Sequence, residues 1–229
     1  MDSLKGRDQS VSSEVVIATR NAGKLREIKE ILAPLNLKIL SLKDFSGISE
    51  ITEDGSSFAQ NAAKKAREVA RQTGRLAIAD DSGLAVDALR GRPGIFSSRY
   101  AGEKSTDEEK YQKLLEEMRG IPEQKRHAAF ICAIAIATPQ GRVELLEGKC
   151  GGQIALAPRG EHGFGYDPVF FLPELGKTMA ELDPEVKNRV SHRARALEKL
   201  KAVLPPLLSS LTPNFSSASA KARKSGRFA

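Results

Sequence analysis

Val15-Val16-Ile17-Ala18 is an unbroken apolar run rich in β-branched side chains, and within seven residues the apolar spacing changes to Leu25, Ile28, Ile31 and Leu32. A continuous run followed at once by a 3.6-residue period predicts a buried strand feeding a helix over Asn21 to Leu32, with Pro34 as its stop. The alternation then repeats. Lys38 to Leu42 reads as a strand. Ser57 to Thr73 reads as a helix with Phe58, Ala62, Ala66, Val69 and Ala70 on one side and Gly74 as C-cap, and Leu76 to Ala79 as a third buried strand. This βαβαβ order specifies an α/β fold with a mixed central sheet flanked by helices. In such sheets ligands bind beyond the carboxyl ends of the strands.

The remainder is read in the same way. Thr106 and Glu109 form a capping box opening a helix to about Met118. Ala128–Ala137 and Val143–Cys150 are strands around a Pro139-Gln140-Gly141 turn, and a short strand is expected over Val169–Phe171. Asp183 and Pro184 open a last helix expected to run to about Leu204, where Pro205-Pro206 ends it. The longest apolar run, Ala128 to Ala137, is half the length a spanning helix needs, and Met1 to Ser13 lacks an apolar signal segment. Cys132 and Cys150 have no metal-ligand spacing and are expected as free thiols in a reducing compartment. Residues 1–12 and the basic 207–229 are expected to be disordered, leaving 13–206 as the folded domain. The net charge is +7, and Lys221, Arg223, Lys224 and Arg227 supply four of those charges, so nucleic-acid binding is not forced by charge.

Four polar clusters carry candidate chemistry. Thr19-Arg20-Asn21-Ala22-Gly23-Lys24 lies between a strand and a helix start, where free N–H groups, a glycine and a lysine suit a phosphate. Glu53-Asp54-Gly55 and Asp80-Asp81-Ser82-Gly83 offer hard oxygens of the kind that hold Mg²⁺ together with substrate phosphates. Asp80 and Asp81 would face opposite ways if the strand reached them. Gly163-Phe164-Gly165-Tyr166-Asp167-Pro168 could stack an aromatic ring on a base. Lys187-Asn188-Arg189-Val190-Ser191-His192-Arg193 offers donors, with Lys187 and Ser191 as i,i+4 neighbours and His192 held neutral by nearby cations. Each also has a plain structural reading: a capped helix, a turn, aromatics filling a core, a surface helix face. Taken together they match one ligand, a nucleoside triphosphate with Mg²⁺.

Assembled in order, the sequence resembles the Ham1/RdgB-type family of inosine/xanthosine triphosphate pyrophosphatases. The resemblance rests on Thr19 to Glu27, Phe58 to Ala66, Ala79 to Leu84, Pro93 to Gly102, Phe164 to Pro168, Met179 to Leu182 and Ser191 to Arg193, and spans about Val15 to Leu204. It implies two lobes with a cleft between them, and Mg²⁺-dependent hydrolysis of ITP, dITP or XTP to the monophosphate and pyrophosphate. It also implies a homodimer in the cytoplasm that cleanses the nucleotide pool; the short apolar runs argue against a membrane, and the charge distribution gives no reason to expect a nucleic-acid partner. On that resemblance Asp81 is the catalytic carboxylate and a metal ligand with Glu53. Thr19, Arg20, Asn21, Ala22, Gly23 and Lys24 hold the triphosphate, and Ser82 touches the substrate. Phe164, Gly165, Tyr166 and Asp167 enclose the base or sugar, while Lys187, His192 and Arg193 meet phosphate or the base edge. Gln60 stands where the family usually has Glu. A non-catalytic nucleotide or nucleic-acid binding protein on the same scaffold is the competing reading.

Overall fold

The computed structural model describes residues 14–211; the expected disorder of residues 1–12 and of the basic tail beyond 211 lies outside that range. Seven strands form one sheet in the order β2-β1-β3-β4-β5-β6-β7. β1 (Glu14–Ile17) runs parallel to β2 (Lys38–Ser41) and to β3 (Leu76–Val86). From β3 onward the pairing is antiparallel, through β4 (His127–Ala137), β5 (Val143–Ile154), β6 (Phe170–Leu172) and β7 (Lys177–Thr178). The sheet is therefore mixed, as the alternation of elements requires.

Strand alternation sorts the core. On one face Val15 and Ile17 of β1, Leu76 and Ile78 of β3, and Cys132, Ile134 and Ile136 of β4 meet α1 (Ala22–Leu32) and α5 (His192–Leu211). On the other, Ala77 and Ala79 of β3 and Ala133, Ala135 and Ala137 of β4 meet the alanine-rich side of α2 (Phe58–Thr73). A third cluster gathers Leu84, Val86, Phe130, Tyr166, Phe170 and Met179 around α3 (Asp107–Glu117), forming the second lobe. Capping fixes the helix ends. Asn21 Oδ1 accepts from Lys24 N–H at 2.9 Å, Ser57 Oγ accepts from Gln60 N–H at 3.2 Å, and Gly74 closes α2 at φ +65°.

Four boundaries differ from expectation, each for a tertiary reason. β3 does not stop at Ala79 but continues through Asp80-Asp81-Ser82-Gly83 to Val86, because β4 pairs with it along that whole length. Turn-forming residue types yield here to a neighbouring strand. β5 likewise runs to Ile154, where it finds β6. The last helix is two: α4 (Pro184–Val190) ends at Ser191, whose extended backbone (ψ 159°) starts α5, with Ser191 Oγ accepting from Ala194 N–H at 3.2 Å. Asp183 precedes Pro184 as expected, but its side chain makes no capping hydrogen bond. Finally, Pro205-Pro206 does not end α5, which reaches Leu211 with Leu207 buried in the core, so the folded unit extends past 206. Cys132 and Cys150 are buried free thiols.

Candidate active site

β1 ends at Ile17 beside Ile78, while β3 runs on for eight more residues. Past that point β1 no longer covers the edge of β3, and the chain from Thr19 into α1 passes there instead. The result is a cleft of about 260 Å³, the carboxyl-end site that α/β sheets provide. Of the expected residues, Thr19, Asn21, Lys24, Glu53, Asp81, Ser82, Phe164, Gly165, Tyr166, Asp167, Lys187, His192 and Arg193 line it. Three do not. Arg20 turns away to donate to the Ile48 carbonyl at 3.3 Å, Ala22 is exposed on α1, and Gly23 lies behind Phe164. A Cβ on Gly23 would come within 2.6 Å of the Phe164 ring, so this glycine allows the aromatic to close over the helix start.

The two adjacent aspartates face opposite sides of the sheet. Asp80 points to the α1/α5 side, where it pairs with Lys24 and with Arg193 Nε at 2.8 Å and accepts from Ser82 Oγ at 2.7 Å and Cys132 Sγ at 3.1 Å. Burial alone would raise its pKa, but the charges of Arg193 and Lys24 outweigh this and hold it well below the carboxylate range. Asp81 points to the α2 side. Asn61 Nδ2 donates to it at 3.0 Å and Lys65 Nζ stands 3.7 Å away. Here burial wins over Lys65 and Lys24, and the pKa is raised. Lys65 also pairs with Glu53 at 2.7 Å and donates to the Asp80 carbonyl at 2.8 Å, so it ties the two expected metal carboxylates together.

A second charge network underlies the far wall. Glu27, buried on α1, accepts from Arg193 and pairs with Lys187 Nζ at 2.8 Å, while Lys187 also pairs with Asp167. Burial would raise Glu27, yet Arg193 and Lys187 lower it. For Asp167 burial prevails and its pKa rises. Above these cations lies the Phe164 ring, 4.8 Å from Lys187 Nζ and 5.6 Å from the Arg193 guanidinium. His192 stacks on Phe130 at 4.6 Å, and its buried Nδ1 has no partner among the described residues. Burial, then Arg193, hold it neutral. α5 can bring His192 onto β5 because Gly148 has no side chain to overlap the His192 carbonyl.

Lys65 and Glu27 were missed as site residues, and Asp80, read only as part of an acidic cluster, was not foreseen as the partner of Lys24 and Arg193. Lys65 and Asp80 sit inside the motif blocks quoted above, but only the strand's extension and α2's approach give them partners. Glu27 falls one turn after Lys24 on α1, which a count of helix faces could have shown. The departure at Gln60 resolves plainly. Its Oε1 accepts from Ser56 N–H at 2.9 Å and Ser56 Oγ at 3.0 Å, bracing the loop before α2, and it does not line the cleft.

The cleft thus offers Lys24, Lys65, Lys187 and Arg193 around an acidic strand, which suits a polyanion accompanied by a cation. Among the described residues no three His, Cys, Asp or Glu side chains cluster closely enough to cage a metal unaided, and no helix is long and apolar enough to cross a membrane.

Comparison with known proteins matches residues 15–203 to the model of the Ham1 family. A dITP/XTP pyrophosphatase of Geobacillus kaustophilus is 55% identical over 187 residues, 82% of this chain and 92% of that one. The Bacillus subtilis dITP/XTP pyrophosphatase is 47% identical, covering 85% of this chain and 98% of its own. A solved HAM1 protein from Coxiella burnetii superposes with a TM-score of 0.77 at 47% identity, over 83% of this chain and 98% of that one.

Proposed function

This chain belongs to the Ham1 family, and from that premise we propose that it hydrolyses non-canonical purine nucleoside triphosphates, dITP, ITP and XTP, to the monophosphate and pyrophosphate. It is a nucleoside-triphosphate pyrophosphatase, and the proposal includes that it cleanses the nucleotide pool as a homodimer in the cytoplasm. The observation that carries this reading is the convergence of the phosphate-type helix start, the acidic strand and the aromatic loop on one cleft.

In the proposed reaction a water oxygen forms a bond to the α-phosphorus. The bond from that phosphorus to the α–β bridging oxygen breaks, and pyrophosphate leaves with the electron pair. Asp81 accepts the water's proton. Its raised pKa makes it a better base near neutrality than an ordinary aspartate. Lys24, reached through the capped start of α1, and the α1 N–H groups hold the phosphates, with Lys24 kept in place by Asp80. Lys65 keeps Glu53 and Asp81 together despite their mutual repulsion.

The donor set fits Mg²⁺. Glu53 and Asp81 are hard oxygen ligands at one wall, and the Asp81 carboxylate, with Asn61 donating to one oxygen, keeps lone pairs for a cation. When bound, Mg²⁺ supplies neutralisation of the phosphate charge that builds as the bond breaks. Phe164 stacks on the base, and Tyr166 and Asp167 anchor its loop. His192 and Arg193 stand at the base edge with Lys187 beside them. A 6-keto oxygen accepts a hydrogen bond where adenine's amino group would donate, so donors in this wall reject adenine by leaving a buried polar group unpaired.

The test is direct. The purified protein with Mg²⁺ is offered dITP, XTP, ITP, dATP and dTTP, and phosphate products are separated. Equal amounts of monophosphate and pyrophosphate from the first three are expected. Orthophosphate as the product, or equal turnover of all five, would reject this reading.

A further inference from the structure

The start of α3 carries a charged pair that the proposed chemistry does not use. Asp107 Oδ2 accepts from the Gly165 backbone N–H at 2.7 Å, joining segments 58 residues apart, and Lys110 Nζ lies 3.0 Å from Asp107 Oδ1. Both side chains line the cleft. The rest of the aromatic loop is braced elsewhere. Phe164 N–H donates to Asp167 Oδ2 at 2.8 Å, and Tyr166 Oη donates to the Ser97 carbonyl at 2.9 Å. Gly165 takes a left-handed turn, φ +65°, immediately after Phe164, and Asp107 receives its N–H. The contact is charge-assisted, and Lys110 fixes the second carboxylate oxygen, so the acceptor is held in one orientation.

We propose that Asp107 is a positioning residue: by holding Gly165 to α3 it sets how Phe164 stands over the cleft, and so the width of the slot that receives the base. The inference rests on reading the cleft as a nucleotide site. It assigns to α3, in the second lobe, a part in substrate binding without contact to the reacting atoms.

Two variants of the full chain test it, D107A and D107N, the latter keeping an oxygen acceptor. D107A is expected to raise KM for dITP about tenfold, the loss of a hydrogen bond to a charged group, with kcat changed less than about twofold. D107N should stay within about threefold of the parent, and both should unfold within about 2 °C of it. In the free protein, amide exchange at Gly165 should speed about tenfold in D107A and little in D107N. An unchanged KM in D107A overturns the proposal. So does D107N impaired as badly as D107A, or a KM rise seen only with a lowered unfolding midpoint. Failure of the functional reading looks different: the parent protein then turns over no nucleotide, while the Gly165 exchange still responds to D107A.

Discussion

Asp80 and Asp81 are consecutive on β3, yet their carboxylates lie on opposite sides of the sheet and shift in opposite directions, Asp80 down under Arg193 and Lys24, Asp81 up through burial. On the proposed function, the pair separates structural from chemical work. Asp81→Asn should lower turnover of dITP about a thousandfold or more while leaving thermal unfolding near the parent's, since it removes a charge that the fold holds at a cost. Asp80→Asn should instead lose about 3–5 kcal/mol of stability, because Arg193 and Lys24 then lack their counter-charge. Denaturant unfolding beside steady-state kinetics reads both. Full activity in Asp81→Asn would show that the wrong carboxylate has been assigned.

Glu27 is the hinge of the second network. Glu27→Gln leaves Arg193 and Lys187 sharing less negative charge in a buried wall, so both stability and nucleotide affinity should fall, with the KM for dITP rising about tenfold. A variant with the parent's KM would show that these cations keep their positions without it.

Gly23→Ala probes closure of the aromatic loop. The added methyl would meet the Phe164 ring at 2.6 Å, so the ring must move off the helix start. The expected result is weaker binding of every nucleotide regardless of base, with unfolding little changed, because the ring is only half-buried. Calorimetric titration with the monophosphate products checks this.

His192 gives a pH prediction. Its folded pKa lies well below the ordinary 6.5, so below about pH 6.5 the unfolded chain takes up a proton that the folded chain refuses. Stability contributed by the neutral ring is therefore present above that pH and is lost as pH falls. Asp81 and Asp167, both raised, work in the opposite sense at lower pH, so the comparison must be with His192→Asn. The parent should lose more stability than this variant between about pH 7.5 and 5.5; parallel curves would contradict the assignment.

Truncation separates α5 from the basic tail. Ending the chain after Leu211 should leave dITP turnover intact. Ending it after Pro206 removes Leu207, 4% exposed in the core, and should cost about 2–5 kcal/mol in unfolding experiments.

Much of the candidate site was written in local pattern. The Asn21 cap, the glycine that admits Phe164, the acidic pair and the Ser191-His192-Arg193 block are all short-range signals, and their order along the chain marked the family. Helix starts are legible in this way because capping is a contact between residues two or three apart. The break at Ser191 was equally local, since a serine that caps inside an apolar-periodic run can start a new helix, but periodicity alone ran through it.

By itself, then, the sequence determined which segments become strand or helix and which side chains carry charge, because backbone preference and apolar period act over a few residues. Tertiary structure decided where those charges go. β4 drew Asp80 and Asp81 into a strand and so onto opposite faces, α5 and α1 closed on Asp80 through Arg193 and Lys24, and α2 brought Lys65 to Glu53 and Asp81. A buried ion finds its partner only when distant elements pack, since desolvation makes an unpaired charge costly wherever it lands, and no local spacing records which partner that will be.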